Sequence, residues 1–114
     1  MSQNAKYEGP GNQRNGEIAI TDTSSHTLIA ASGAAGFYVD LLNIEVTNGS
    51  NTNTVLTISD GTTNYQYAIA PLGGVVSQLG EYPKLAASAN TAWTAQLSVA
   101  ANVYINAQGL LVQR

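Results

Sequence analysis

Asp22, Ser24, Ser25 and His26 come nearest to a catalytic grouping in this chain: a carboxylate, two hydroxyls and the single histidine within five positions. A hydroxyl nucleophile needs an imidazole to take its proton and a carboxylate to orient that imidazole from its other nitrogen. Residues that adjoin on one turn seldom reach that geometry, so the segment reads as a turn, with His26 at a strand end and its ring exposed. Asp22, Asp40, Glu45 and Asp60 would make a calcium site only by converging from separate strands, because no D-x-D-x-D-G loop holds them together. Asp60-Gly61 reads instead as the tight turn of a hairpin. The chain has no cysteine, which removes disulfides and thiolate metal sites. Gly33, Gly36, Gly73 and Gly74 form neither a GxGxxG nor a P-loop. No cofactor, metal or enzymatic activity is expected.

Sugar recognition is the other chemistry the composition suits. Tyr38, Tyr65, Tyr67, Tyr82, Tyr104 and Trp93 would offer stacking faces, and the many Asn and Gln amides would bind hydroxyls. Trp93 sits in an alternating apolar run and is expected in the core. Tyr65 and Tyr67 share a parity with Ile69, which favours burial over exposure. Asn48-Gly49-Ser50 matches the glycosylation acceptor pattern but, with no export signal before it, reads as a turn.

Composition narrows the remaining classes. A length of 114 residues suits one domain with one core. Charged residues are 10% of the chain, well below the roughly 25% of ordinary soluble domains, and Asn, Gln, Ser, Thr and Gly must cover the surface instead. The net charge is -3, and Lys6, Arg14, Lys84 and Arg114 are far apart in sequence, so nucleic acid is not an expected partner. No apolar run approaches the ~18 residues that span a bilayer, and the polar start has no secretory hydrophobic region. The expectation is a chain made and assembled in cytosol, without a membrane partner.

The elements that must carry these residues are strands. Residues 1–16 lack an apolar period and read as a flexible N-terminal arm, with Tyr7 its one large apolar side chain; residues 17–114 read as the folded domain. From Glu17 onward, eight short runs of strand chemistry follow one another: Ile18–Thr21, Thr27–Ala31, Phe37–Thr47, Thr54–Ser59, Tyr65–Ala70, Val75–Leu79, Trp93–Val99 and a last run from Val103 that Gly109 interrupts before Leu110–Val112. The doublet Leu41-Leu42 switches the buried parity and predicts a bulge or a crossover between sheets. Ala86–Ala89 is read as one helical turn. Eight strands with turn signals between them predict an all-β, jelly-roll-like antiparallel sandwich; a seven-stranded immunoglobulin-like Greek key is the alternative. The expected core is Ile20, Leu28, Leu42, Ile44, Leu56, Ile58, Tyr67, Trp93, Leu97 and Ile105.

The order of segments resembles a known group. A polar arm precedes TLIAA, then FYVDLLNIEVTN, TISDG, APLGGVV and WTAQLSVAANVYIN. This looks like the small β-sandwich proteins of tailed bacteriophage virions, especially capsid decoration, or cement, proteins. The resemblance implies a jelly-roll-like domain on the outer capsid surface, assembled in the host cytoplasm. There it would bind the major capsid protein lattice and stabilise the head, as a homo-oligomer (dimer or trimer) with no catalytic residues. Within that reading Lys6, Tyr7, Pro10 and Arg14 of the arm are the candidate capsid-binding residues. The alternatives are a carbohydrate- or receptor-binding module of a phage tail fibre, and a tail or head-completion component.

Overall fold

The computed structural model describes residues 13–78 and 84–114. Its strands are β1 (Gln13–Ile20), β2 (His26–Ile29), β3 (Phe37–Asn48), β4 (Thr54–Ser59), β5 (Asn64–Ile69), β6 (Gly74–Gln78), β7 (Trp93–Leu97) and β8 (Val103–Gln113). They form two four-stranded antiparallel sheets in the orders β1-β8-β3-β6 and β2-β7-β4-β5. The pairs β1·β8, β2·β7, β3·β6 and β4·β5 are nested, as they would be if one long hairpin were rolled up on itself. That nesting is the jelly roll, and it excludes the immunoglobulin-like alternative. No helix occurs among the described residues; Ala86–Ala89, expected as a helical turn, runs through bends and a turn instead, with its backbone held by the carboxylates of Asp40 in β3 and Asp60 just after β4.

Alternation builds the core. Ile20, Leu28, Ile44, Leu56, Ile58, Trp93, Leu97 and Ile105 are buried between the sheets, together with Val39, Leu41, Val46, Ile69 and Val103. Two expected members differ. Leu42 is only half-buried, and Leu41 takes the core position, fully enclosed. The pairing of β3 with β8 slips between Leu41 and Asn43, so the doublet is the expected bulge, and it hands the inward parity from Val39 and Leu41 to Ile44, Val46 and Asn48. Tyr67 is half-buried and packs against the core from β5 without entering it.

Trp93 fills the middle of the sandwich with no exposed surface. Its Nε1–H donates to the Val39 carbonyl across the core at 2.6 Å, and its ring lies 6.2 Å from that of Tyr65. An indole is tolerated at such depth only because its N–H finds an acceptor.

Three further expectations are corrected by pairing geometry. β8 does not stop at Gly109. That residue lies opposite the bulge, paired to Leu41 on one side and Arg14 on the other, where an added Cβ would press on the carbonyls of Arg14 and Asp40; glycine lets the strand continue past a crowded point. β1 begins at Gln13, so residues 13–16, read as part of the arm, are paired with β8 and belong to the sandwich. The β4–β5 connection is a four-residue loop, Asp60–Thr63, and not a tight two-residue turn, with Gly61 at φ +93°.

Candidate functional site

The acids that sequence inspection singles out are placed apart; Glu45 is exposed on β3, and Asp22, Asp40 and Asp60 are each committed to local structure. Asp60 is buried at the start of the β4–β5 loop. Its Oδ1 accepts from the backbone N–H groups of Thr62 and Thr63 at 2.9 and 2.7 Å, and its Oδ2 from Ala87 at 2.8 Å. Burial pushes this carboxyl upward, but the three donated N–H groups outweigh it and hold the group below its ordinary value. Asp60 therefore closes the hairpin and pins the 84–92 segment to it.

Asp40 is buried in β3 between the core residues Val39 and Leu41. Arg114 grips it in a two-pronged bond, Nη1 to Oδ2 at 2.8 Å and Nη2 to Oδ1 at 3.1 Å. The same Oδ1 accepts from the Ala86 N–H at 2.9 Å, while Arg114 Nη2 also donates to the Ala86 carbonyl and the guanidinium stacks 4.2 Å over the Tyr38 ring. Planar donor forks suit this geometry, and a lysine would not reproduce it. Leu41 and Lys84 exchange backbone bonds beside this clamp, and the Lys84 ammonium lies 4.4 Å over the Tyr65 ring.

Asp22, Ser24 and His26 do meet in the β1–β2 loop. His26 Nε2 lies 2.7 Å from Asp22 Oδ1 and 3.3 Å from Ser24 Oγ, and Ser24 Oγ donates to Asp22 Oδ1 at 2.8 Å. Carboxylate and hydroxyl thus compete for the same imidazole nitrogen, whereas a triad places them on opposite nitrogens. The hydroxyl proton is also directed at the carboxylate and not at the ring. The bonds from His26 and then from Ser24 hold the Asp22 carboxyl below its usual value. The arrangement is a hydrogen-bonded turn, as its spacing predicts. Asn48, the acceptor of the glycosylation pattern, is buried at the end of β3. Its Nδ2 donates to the carbonyls of Thr52 and Ala70, and its Oδ1 accepts from the N–H and Oγ of Ser50. That amide is used up in a turn.

Lys6, Tyr7 and Pro10 lie outside the described residues. Arg14 is in β1, half-buried opposite Gly109, with Nη1 donating to the Gln13 carbonyl at 3.0 Å. It is thus a sandwich residue and not part of an arm.

The outward faces of the two sheets remain. On the first sheet the register sets Glu17, Asn106 and Glu45 in one row, Ala19, Tyr104 and Thr47 in the next, and Asn15, Gln108 and Asn43 on the other side. Tyr104 is exposed, and the hydrogen bond to Glu17 raises its phenol above the ordinary value. On the second sheet the outward residues of β4, β5 and β7 are Val55, Thr57, Ser59, Asn64, Gln66, Ala68, Thr94 and Gln96, with no charge among them. Two open hollows of about 520 and 500 Å³ lie on this face and share Val55 and Ser98, so they form one groove. Nothing in the sequence pointed to this groove, because it arises from side chains on three strands that only pairing brings together. Neither the scan of protein-family models nor the search of curated proteins finds a match for this chain.

Proposed function

We propose that this chain is a virion structural protein of the capsid decoration type, which binds the major capsid protein lattice from outside and reinforces the head. The observation that carries the reading is how the jelly roll uses its reactive groups. Asp40, Asp60, Arg114 and Trp93 all hold the fold together, the outward face of the second sheet carries no charge, and Glu17 and Glu45 are the acids on that of the first. Binding at many equivalent lattice positions needs a rigid, self-sufficient body whose surface does not attract nucleic acid or packaged phosphate. A low density of surface charge suits that role, and so does the resemblance of the segment order to phage β-sandwich proteins.

The alternative of an aromatic sugar-binding platform is less well supported. Trp93 is enclosed, Tyr65 and Tyr67 pack towards the core, and Tyr38 is covered by Arg114. Among the described residues Tyr104 is the one large aromatic that is well exposed.

A cryo-EM map of particles that incorporate the chain, with its copy number measured on the purified particles, tests the proposal. Jelly-roll density repeated over the capsid exterior supports it. Density confined to a tail or fibre, or a chain that never sediments with heads, refutes it.

A further inference from the structure

We infer that the groove on the outward face of the second sheet is a binding site for a neutral oligosaccharide, a function separate from capsid attachment. The argument starts from what lines it. One half is polar: Asn64 and Gln66 bring amides, Thr57 a hydroxyl, and Gln96 the carbonyl of an amide whose Nε2 already donates to the Thr23 carbonyl at 2.9 Å. The other half is mainly apolar: Val55, Ala68, Ile69, Ala70 and Val99 form its walls, and Val99 is 47% exposed. Both halves are open to solvent, so a ligand would lie along the sheet face and not inside a closed cavity.

The absence of charge along this lining selects the ligand. An anionic ligand would shed water here without meeting a cation, and a cationic ligand would do so without meeting a carboxylate; either loses more than it gains. An uncharged polyol loses nothing of that kind. Amides are both donors and acceptors, so they match hydroxyls whichever way these point. Gln66 Nε2 is 3.5 Å from Thr57 Oγ1, a contact so long that the pair keeps most of its hydrogen-bonding capacity for a third group. The C–H faces of a pyranose would rest on the aliphatic walls beside them. A groove continuous through Val55 and Ser98 takes a chain of several residues and not one sugar. Sugar recognition thus moves from the aromatic rings that composition suggests to the amides.

The test is titration of the isotope-labelled protein with maltohexaose, cellohexaose and chitohexaose, followed by NMR amide shifts and calorimetry, with an oligogalacturonate as the anionic counterpart. At least one neutral hexaose is expected to shift the amides of β4, β5 and β7 with an affinity between about 10 µM and 1 mM, and the oligogalacturonate to shift none of them. Gln66→Ala and Thr57→Val, both outward on the sheet, should each weaken binding about three- to tenfold, with melting temperatures unchanged. Glu45→Gln, on the opposite sheet, should bind as the wild type does. The inference is overturned if no neutral hexaose shifts these amides at ~10 mM, if the shifts map to the Tyr104 face, if the oligogalacturonate binds equally well, or if the groove variants bind like the wild type. A mass showing that a second copy of the chain occludes the face would overturn it as well. Loss of capsid attachment in any of these variants tests the decoration role, not this one.

Discussion

Arg114→Ala removes one side chain from the last position of the sequence, and the structure makes it one of the more damaging changes available. Asp40 is 3% exposed, and in the wild type both its oxygens are served by the guanidinium and one also by the Ala86 N–H. Without Arg114 a buried carboxylate keeps a single neutral donor. Breaking a fully buried ion pair from one side costs about 3–5 kcal/mol, because the remaining charge stays desolvated. The Arg114 side chain is 34% exposed, so water can partly replace it, and the expected loss is about 2–4 kcal/mol. At roughly 4 °C per kcal/mol for a domain of this size, the melting temperature should fall by about 8–16 °C. Urea denaturation of the wild type, Arg114→Ala, Asp40→Asn and the double variant gives the coupling directly. The double variant should be more stable than Arg114→Ala alone, because no charge is left unpaired. If Arg114→Ala stays within about 0.5 kcal/mol of wild type, or if the double variant shows no recovery, the clamp does not bear on stability and the reasoning fails.

Trp93→Ala should cost about 3–5 kcal/mol, and Trp93→Phe less, chiefly the lost bond to the Val39 carbonyl; a Trp93→Phe melting temperature equal to that of the wild type would show that the indole N–H is irrelevant. Asp60→Asn places an amide N–H against the Ala87 N–H and should lose about 1–2 kcal/mol at neutral pH. Because the folded Asp60 carboxyl lies below its unfolded value, its contribution is complete above about pH 4 and is lost as pH falls through the folded value. The gap between wild type and Asp60→Asn should therefore narrow in acid, and a gap that widens below about pH 4 would contradict the hydrogen-bond account. Gly16→Ala should destabilise by about 1–3 kcal/mol, since the new methyl group would collide with the Leu28 carbonyl where β1 crosses β2; an unchanged urea midpoint would mean that the strands separate freely there. Removing residues 1–12 leaves every described strand pair in place, so the melting transition should persist while capsid binding weakens; binding equal to full length would place attachment on the sandwich alone.

How much of this could be read from the sequence depends on the range of the interaction concerned. Alternation is local, so the strands, the sandwich, the Leu41-Leu42 bulge and the burial of Trp93 were all legible. Which of Leu41 and Leu42 faces inward was not, because it depends on which side of β8 the bulge opens. The extent of β8 through Gly109 was obscured for a related reason: a glycine that normally ends a strand is here the residue that lets three strands meet. The burial of Asp40 and Asp60 is not legible, because their partners, Arg114 and Ala87, are 74 and 27 positions away. The Asp22 turn, with all its bonds inside five residues, is legible from its spacing. The groove on the second sheet has no counterpart in any short segment.

The central place of β8 in the first sheet has a consequence for how the chain comes to be folded. β1 and β3 are neighbours only through β8, the last of the described strands in chain order, and β2 reaches β4 only through β7, the strand before it. Until β7 and β8 are available, β1 and β2 have no strand partners and keep their apolar faces in water, while the β4–β5 hairpin and the β3–β6 pair that encloses it can already form. Folding must then proceed nearly all at once after β8 appears, through contacts between distant parts of the chain, which makes it slow for its size. Interrupted synthesis would leave not a smaller sandwich but a set of unpaired strands prone to join those of other chains.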